Sequence, residues 1–209
     1  MLHRTLLALA CCLPATAALA HPHNWIDLGT RLQFDAEERL AAVELDWLFD
    51  EFYTAYIAEE FVASGTAPSD FLREVAAENL ANLREYDYFL DIRKDGERLK
   101  LGDVTRFETE MRGERLALTF TVPLAEPIAP GADGITLAVY DPTYYIEILY
   151  AEGTGPELDG IPPERCKSVV MPPTPDPEMV SLAYALDMTQ TAGDGLGVNF
   201  AEVLTVQCP

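Results

Sequence analysis

Apolar and polar residues alternate from Trp25 to Phe34, the period-two pattern of a strand buried on one side. A turn around Asp35 to Arg39 leads into Leu40 to Phe49, where Val43, Leu45 and Trp47 share one face and Glu44 and Asp46 the other. The two runs read as a hairpin. The period then changes. Phe52, Tyr53, Tyr56, Ile57 and Phe61 recur at three and four, which predicts a short helix over Asp50 to Val62. Ser64 to Ser69 breaks it, and Ser69 is the expected N-cap of a second helix. That helix carries a stripe of Leu72, Val75, Leu80 and Leu83 and frays near Tyr86.

Strand character returns over Tyr88 to Arg93, followed by Lys94-Asp95-Gly96-Glu97, a turn whose Asp-Gly pair suits a tight hairpin. Thr105 to Met111 and Leu116 to Val122 form a further expected hairpin around Arg112-Gly113-Glu114. Ile135 to Tyr140 and Tyr144 to Tyr150 are strands divided by Asp141-Pro142, since proline cannot continue a ladder. After a proline-punctuated stretch from Val169, a last helix is expected over Pro177 to Met188 and a last strand over Asn199 to Val206. The sum is an α+β fold, mainly an antiparallel sheet or sandwich of about eight strands with two or three helices.

The first twenty residues follow a different logic. Arg4, the apolar run Leu6 to Leu13 and the small-x-small site Ala18-Leu19-Ala20 read as a secretory signal peptide. The expected organisation is therefore a leader over 1–20 and a single periplasmic domain over 21–209. No later stretch reaches the length of a membrane-spanning helix. Of four cysteines, Cys11 and Cys12 leave with the leader, and export favours a disulfide between the remaining Cys166 and Cys208. The chain has 35 acidic residues against 14 basic ones, a formal charge of −21 that becomes one unit more negative when Arg4 is removed. Such a surface repels nucleic acid, whose phosphates require clustered Lys and Arg.

Charge says little about chemistry here; histidine says more. Only three occur, and one, His3, lies in the leader. The other two stand in His21-Pro22-His23-Asn24-Trp25-Ile26-Asp27, where cleavage after Ala20 makes His21 the new terminus. His21 then offers a free α-amine as well as an imidazole. In an extended chain His21 and His23 share a side, about 6 to 7 Å apart. Pro22 lacks an N–H and blocks coordination through successive main-chain amides. The remaining set, an amine and two imidazoles, suits Zn, Ni, Co or Cu. Asp50 and Asp141 are the candidates to complete it. Asp27, Asp46, Glu51, Tyr144 and Tyr145 are supporting candidates, Asp27 being about 13 Å further along a straight strand than His23. Trp47, Phe49, Phe52, Tyr53 and Tyr56 are expected in the core.

Familiar catalytic patterns are absent. The sequence has no nucleophile elbow, no phosphate-binding glycine loop and no His-Glu-x-x-His. A non-catalytic protein is expected. The enzyme alternative is a copper-dependent oxygenase with an N-terminal histidine site, and a metal-independent interaction domain docking on a transporter is a further one.

The His-Pro-His start, Trp47-Leu48-Phe49-Asp50-Glu51, Leu118-Thr119-Phe120, Tyr140-Asp141-Pro142-Thr143-Tyr144-Tyr145 and the Cys166 and Cys208 tail together resemble a bacterial family, domain of unknown function one thousand and seven. The resemblance implies the periplasmic component of an uncharacterised ABC-type transport system, often encoded beside nickel, cobalt or zinc transport genes. It therefore points to a transition-metal-binding accessory protein with a membrane metal transporter as partner. The resemblance implies that many relatives carry an Asp-rich, calcium-loop-like segment between the first helix and the next. Here Ser64-Gly65-Thr66-Ala67-Pro68-Ser69-Asp70 lacks that ligand spacing, so no calcium site is expected.

Overall fold

A computed structural model describes residues 22–186, 192–193 and 195–209. The expected leader, His21 and the end of the last expected helix at Asp187 and Met188 lie outside the described residues. Eleven strands are present among the described residues, in two mostly antiparallel sheets, with three α-helices. The α+β class expected from the pattern is what the chain adopts. The additional strands are short or edge segments, β4 and β9 of two and three residues and β10 in the proline-rich tail, too brief to set a period.

The first hairpin pairs β1 (Asn24–Phe34) with β2 (Leu40–Phe49) in antiparallel register, Leu28 opposite Trp47 and Leu32 opposite Val43. Helix α1 (Glu51–Ser64) follows at once and ends on Gly65, whose left-handed φ of 66° closes the helix as a C-cap. Helix α2 (Pro68–Leu83) begins two residues earlier than expected. Ala67 is its N-cap and Pro68 its first residue, so Ser69 falls inside the first turn. Proline has no N–H to lose there and its fixed φ is already helical.

Strand β3 (Leu90–Lys94) also starts later than the pattern suggested. Asp87, Tyr88 and Phe89 all adopt positive φ (51°, 58° and 61°), a run that ordinary side chains resist. It buries Tyr88, whose hydroxyl accepts a hydrogen bond from the Val104 N–H at 3.1 Å. The Asp95-Gly96 turn to β4 (Glu97–Arg98) forms as expected, with both residues at positive φ. Strands β5 (Phe107–Arg112) and β6 (Arg115–Ile128) make the next hairpin. Then come β7 (Ile135–Val139), β8 (Ile146–Tyr150), β9 (Glu157–Asp159), β10 (Lys167–Met171), α3 (Pro177–Ala185) and β11 (Val203–Gln207).

The larger sheet runs β5-β6-β2-β1-β8, with β9 also paired to β1; the second runs β10-β11-β7-β3-β4. Inward side chains of both sheets meet in one core. It contains Leu28, Leu32, Val43, Leu45, Phe120 and Val122 from the first sheet, Ile92, Leu137 and Leu204 from the second, and Ile57, Phe71 and Leu80 from the helices. The aromatics expected inside divide. Trp47 and Phe49 are buried and Tyr53 packs against the core, but Phe52 and Tyr56 are 77% and 55% exposed. Helix α1 buries only Thr54 and Ile57, so these two rings fall on its solvent side.

Cys166 and Cys208 form the expected disulfide, just beyond the Lys167–Gln207 pair of the β10–β11 ladder. It closes a loop of 42 residues. Replacing both cysteines by serine should lower the unfolding free energy by about 4 kcal/mol in the chain-entropy model. Urea unfolding of the oxidised protein and the double variant measures this, and an unchanged midpoint would show that the loop is already ordered in the unfolded chain.

Candidate functional site

The ladder that matters most to the N-terminal segment is parallel. Asn24 to Leu28 of β1 run beside Ile146 to Tyr150 of β8. This register carries the preceding residues together as well. The N–H groups of His23 and Asn24 both reach the Tyr145 carbonyl, at 2.9 and 3.4 Å. The His23 and Tyr145 rings lie 4.8 Å apart with their planes at 50°. His23 therefore meets the Asp141–Tyr145 loop.

That loop is built around Asp141, which is only 5% exposed. Its Oδ1 accepts from the Thr143 N–H and hydroxyl, both at 2.9 Å, and its Oδ2 from the Ile146 N–H at 3.0 Å. Tyr144 takes a positive φ of 60°, stacks on Phe200 with ring centroids 3.9 Å apart and donates to Glu147 at 2.8 Å. Burial first, then the Glu147 carboxylate, pushes the Tyr144 phenol well above its ordinary range. It stays neutral. The N–H groups of Gly195 and Gly197 both donate to the Pro142 carbonyl, and a Cβ on Gly197 would collide with the main chain of Asp141.

Asp50 closes the other side. Its N–H donates to the Trp25 carbonyl at 3.0 Å, and its Oδ2 accepts from the Trp25 N–H at 2.7 Å. Oδ1 accepts from the N–H groups of Phe52 and Tyr53 and caps α1. The carboxylates of Asp50 and Asp141 are thus both committed to main-chain donors. Glu51 is exposed in the first turn of α1, where its charge complements the helix dipole.

Asp27 and Asp46 lie on the outer face of the larger sheet. Asp27 is bound by Arg115 at 2.6 Å. Asp46 takes Arg112 through both oxygens at 2.6 and 2.8 Å, with the Thr119 hydroxyl at 2.6 Å. Together with Gly29 and Arg31 they line a polar cleft of about 350 Å³. Burial works to raise the Asp46 carboxyl, but the hydrogen bonds from Arg112 and Thr119 and the nearby guanidinium charge outweigh it and hold the group below its ordinary value.

The structure thus brings His23 and Tyr145 together and sets Asp50 against Trp25, two residues further along the chain. It separates Asp27 and Asp46 from them by pairing each with an arginine. Among the described residues no group of three or more His, Cys, Asp or Glu could hold a metal ion. His21 lies outside them. The sequence did not reveal that Tyr145 contributes its main-chain carbonyl, because a parallel partner strand leaves no local mark.

These features define an α+β domain of two sheets around one core, with its N-terminal segment fixed by a distant loop. The family model described as "Protein of unknown function (DUF1007)" matches residues 6–208, and the chain belongs to that family. It is similar to an uncharacterized protein of Haemophilus influenzae, with 26% identity over 193 residues that cover 91% of this chain and 92% of that one. No solved structure matches the chain.

Two outcomes test the frame of the site. Asp50→Ala removes a helix cap and the Trp25 anchor together, and should lower stability by about 2 kcal/mol, the upper end for a cap. Asp50→Asn, which keeps an acceptor, should lose less in the same urea titration. Asp46 predicts a pH effect. A carboxylate depressed in the folded state stabilises it above the unfolded value, about pH 4, and that gain fades as pH falls through the lower folded value. Asp46→Asn should therefore weaken the protein at pH 7 and flatten its acid unfolding curve below about pH 4.

Proposed function

We propose that the chain is a periplasmic, non-catalytic accessory protein of a metal-ion transport system, binding a divalent transition ion of the Ni, Co or Zn class through its N-terminal histidines. The observation that carries this reading is the clamp on His23. Its main chain is bonded to Tyr145 and its ring stands beside the Tyr145 ring, so the histidine sits on the folded domain. Preorganisation of this kind lowers the ordering cost of binding.

His21 follows two positions upstream, and cleavage after Ala20 would add its amine. With Asp50 and Asp141 occupied by main-chain donors, we leave them out of the ligand set. An amine and two imidazoles leave coordination positions for water or for side chains of a receiving transporter. Such an open ion exchanges readily, which suits a carrier better than a store. The strongly negative surface attracts cations without selecting among them, so selection rests on the nitrogen ligands.

A second reading is favoured by one observation. Phe52, Tyr56 and Val62 of α1 are 77%, 55% and 79% exposed, an apolar surface on a helix that buries little of itself. It suits docking on a transporter without any metal.

Calorimetric titration of correctly processed protein with Zn, Ni, Co and Cu separates the two. The metal reading expects one ion to bind at least tenfold more weakly to the His21→Ala, His23→Ala double variant. Equal binding by both proteins would overturn it. Capture of the transporter that survives chelation and is lost in a Phe52→Ala, Tyr56→Ala variant would establish the second.

A further inference from the structure

The second sheet ends on β10, a strand of five residues that is paired on one side only, to β11. The register shows which main-chain groups this leaves over. Cys208, just past β11, turns its N–H away from β10 to the Gly131 carbonyl at 2.9 Å. Tyr140, just past β7, turns its own N–H to the Phe89 carbonyl beside β3. Main-chain groups alternate in direction along a strand. Leu204 and Val206 therefore bond β7, whereas Val203, Thr205 and Gln207 bond Met171, Val169 and Lys167. Ser168 and Val170 are left with their N–H and C=O groups directed outwards, and among the described residues nothing pairs with them.

The side chains along this edge are apolar. Val169 and Met171 are 54% and 56% exposed, and Val203, opposite Met171, is 37% exposed. Residues 165–175 contain no Asp or Glu but include Arg165 and Lys167, in a chain with 35 acids and a formal charge of −21. The other strand edges are less open. β4 and β9 have two and three residues, and β5 displays Glu108, Glu110 and Arg112. On β8, the Tyr150 N–H is taken by the Glu202 carboxylate at 2.6 Å. Lys167 and Pro172 shorten the β10 edge without covering it.

We propose that β10 pairs with the β10 of a second copy of the chain, antiparallel and about a two-fold axis at Val169. That register is self-complementary. Ser168 exchanges main-chain bonds with the second copy's Val170, and Val170 with its Ser168, so every outward group on the strand is met. Val169 packs against its own counterpart in the closer, non-hydrogen-bonded kind of pair. Lys167 falls opposite the second copy's Met171 and not its Lys167, which keeps like charges apart. Pro172 ends the ladder in each copy, and each edge is used up by the other, so assembly stops at two. Elsewhere two such acidic surfaces repel, and this segment is where they can approach. The pairing is independent of the metal reading.

Sedimentation of the processed protein should show a monomer giving way to a dimer as concentration rises, because a five-residue strand makes an interface below the standard size of about 1,600 Å². Salt should tighten the dimer, since the Debye length falls from about 30 Å at 0.01 M to about 8 Å at 0.15 M and screens the repulsion. Amide exchange followed by NMR reads the register. Ser168 and Val170 should exchange about twofold more slowly once half the chains are dimeric, whereas Val169 and Met171, already bonded to β11, should be slow at every concentration. Val169 is exposed, so Val169→Lys should leave the melting temperature unchanged. It sets like charges face to face across the axis and should abolish both the dimer and the added protection. Thr136→Lys, in the same row of the sheet but two strands inwards, should change neither. A protein that stays monomeric up to NMR concentrations overturns the proposal. So does a dimer that forms without slowing Ser168 and Val170, that survives Val169→Lys, or that Thr136→Lys dissolves as well.

Discussion

The parallel pairing of β1 with β8 is the constraint on which the N-terminal half of the molecule depends. Antiparallel neighbours can be joined by a tight turn, but parallel ones need a long crossover. Here most of the chain, including both long helices and much of the second sheet, lies between the two strands. Their register, Asn24 beside Ile146, decides that the Tyr145 carbonyl meets the His23 N–H. It also places the Asp141 turn at the edge of that ladder, because the same carboxylate accepts the Ile146 N–H. Gly197 then fits against Asp141 from the C-terminal side, so three distant segments converge on one loop.

Charge is arranged to leave this convergence undisturbed. Arginine is scarce in so acidic a chain and is placed where sheet carboxylates would otherwise repel one another. Arg112 bridges Glu110 and Asp46, Arg31 bridges Glu44 and Glu157, and Arg93 and Arg98 both face the buried Asp91. Exposed pairs of this kind add little to stability singly. Their larger effect is to offset part of the negative charge on the outer face of the sheet, one guanidinium lying between two carboxylates at both Arg31 and Arg112. The inner face needs no such device, being almost wholly apolar.

What the sequence made legible follows from how local each signal is. The first hairpin, both helices and the Asp95-Gly96 turn were readable because periodicity and turn chemistry act over a few residues. Ser69 was misread because a hydroxyl before an apolar stripe resembles a cap, whereas Pro68 supplied a stronger start. Tyr88 and Phe89 looked like strand because their side chains are strand formers; burial of Tyr88 forces the left-handed run instead. Phe52 and Tyr56 fitted the helical period of Ile57 but sit on the solvent side of α1, since a period fixes a face only when the opposite one is polar. Of the candidate site, Asp141 and Tyr145 were legible as a loop cluster. Their roles, a carboxylate spent on main-chain donors and a carbonyl spent on His23, depend on tertiary register and were not.

Strand β1 therefore separates two environments by simple alternation. Successive side chains point to opposite faces, so Trp25 looks out while Asn24 and Ile26 look in. The outward side carries Trp25 and Asp27, and the inward side places Ile26 and Leu28 in the core. The β1 main chain between them is fixed by β2 on one edge and β8 on the other. Asp50 ties this strand to the helix that follows β2, because its carboxylate holds the Trp25 N–H and the start of α1 at once. Its own N–H adds a second, main-chain bond to the Trp25 carbonyl, so the strand stays attached to the helix start through two bonds of different chemistry.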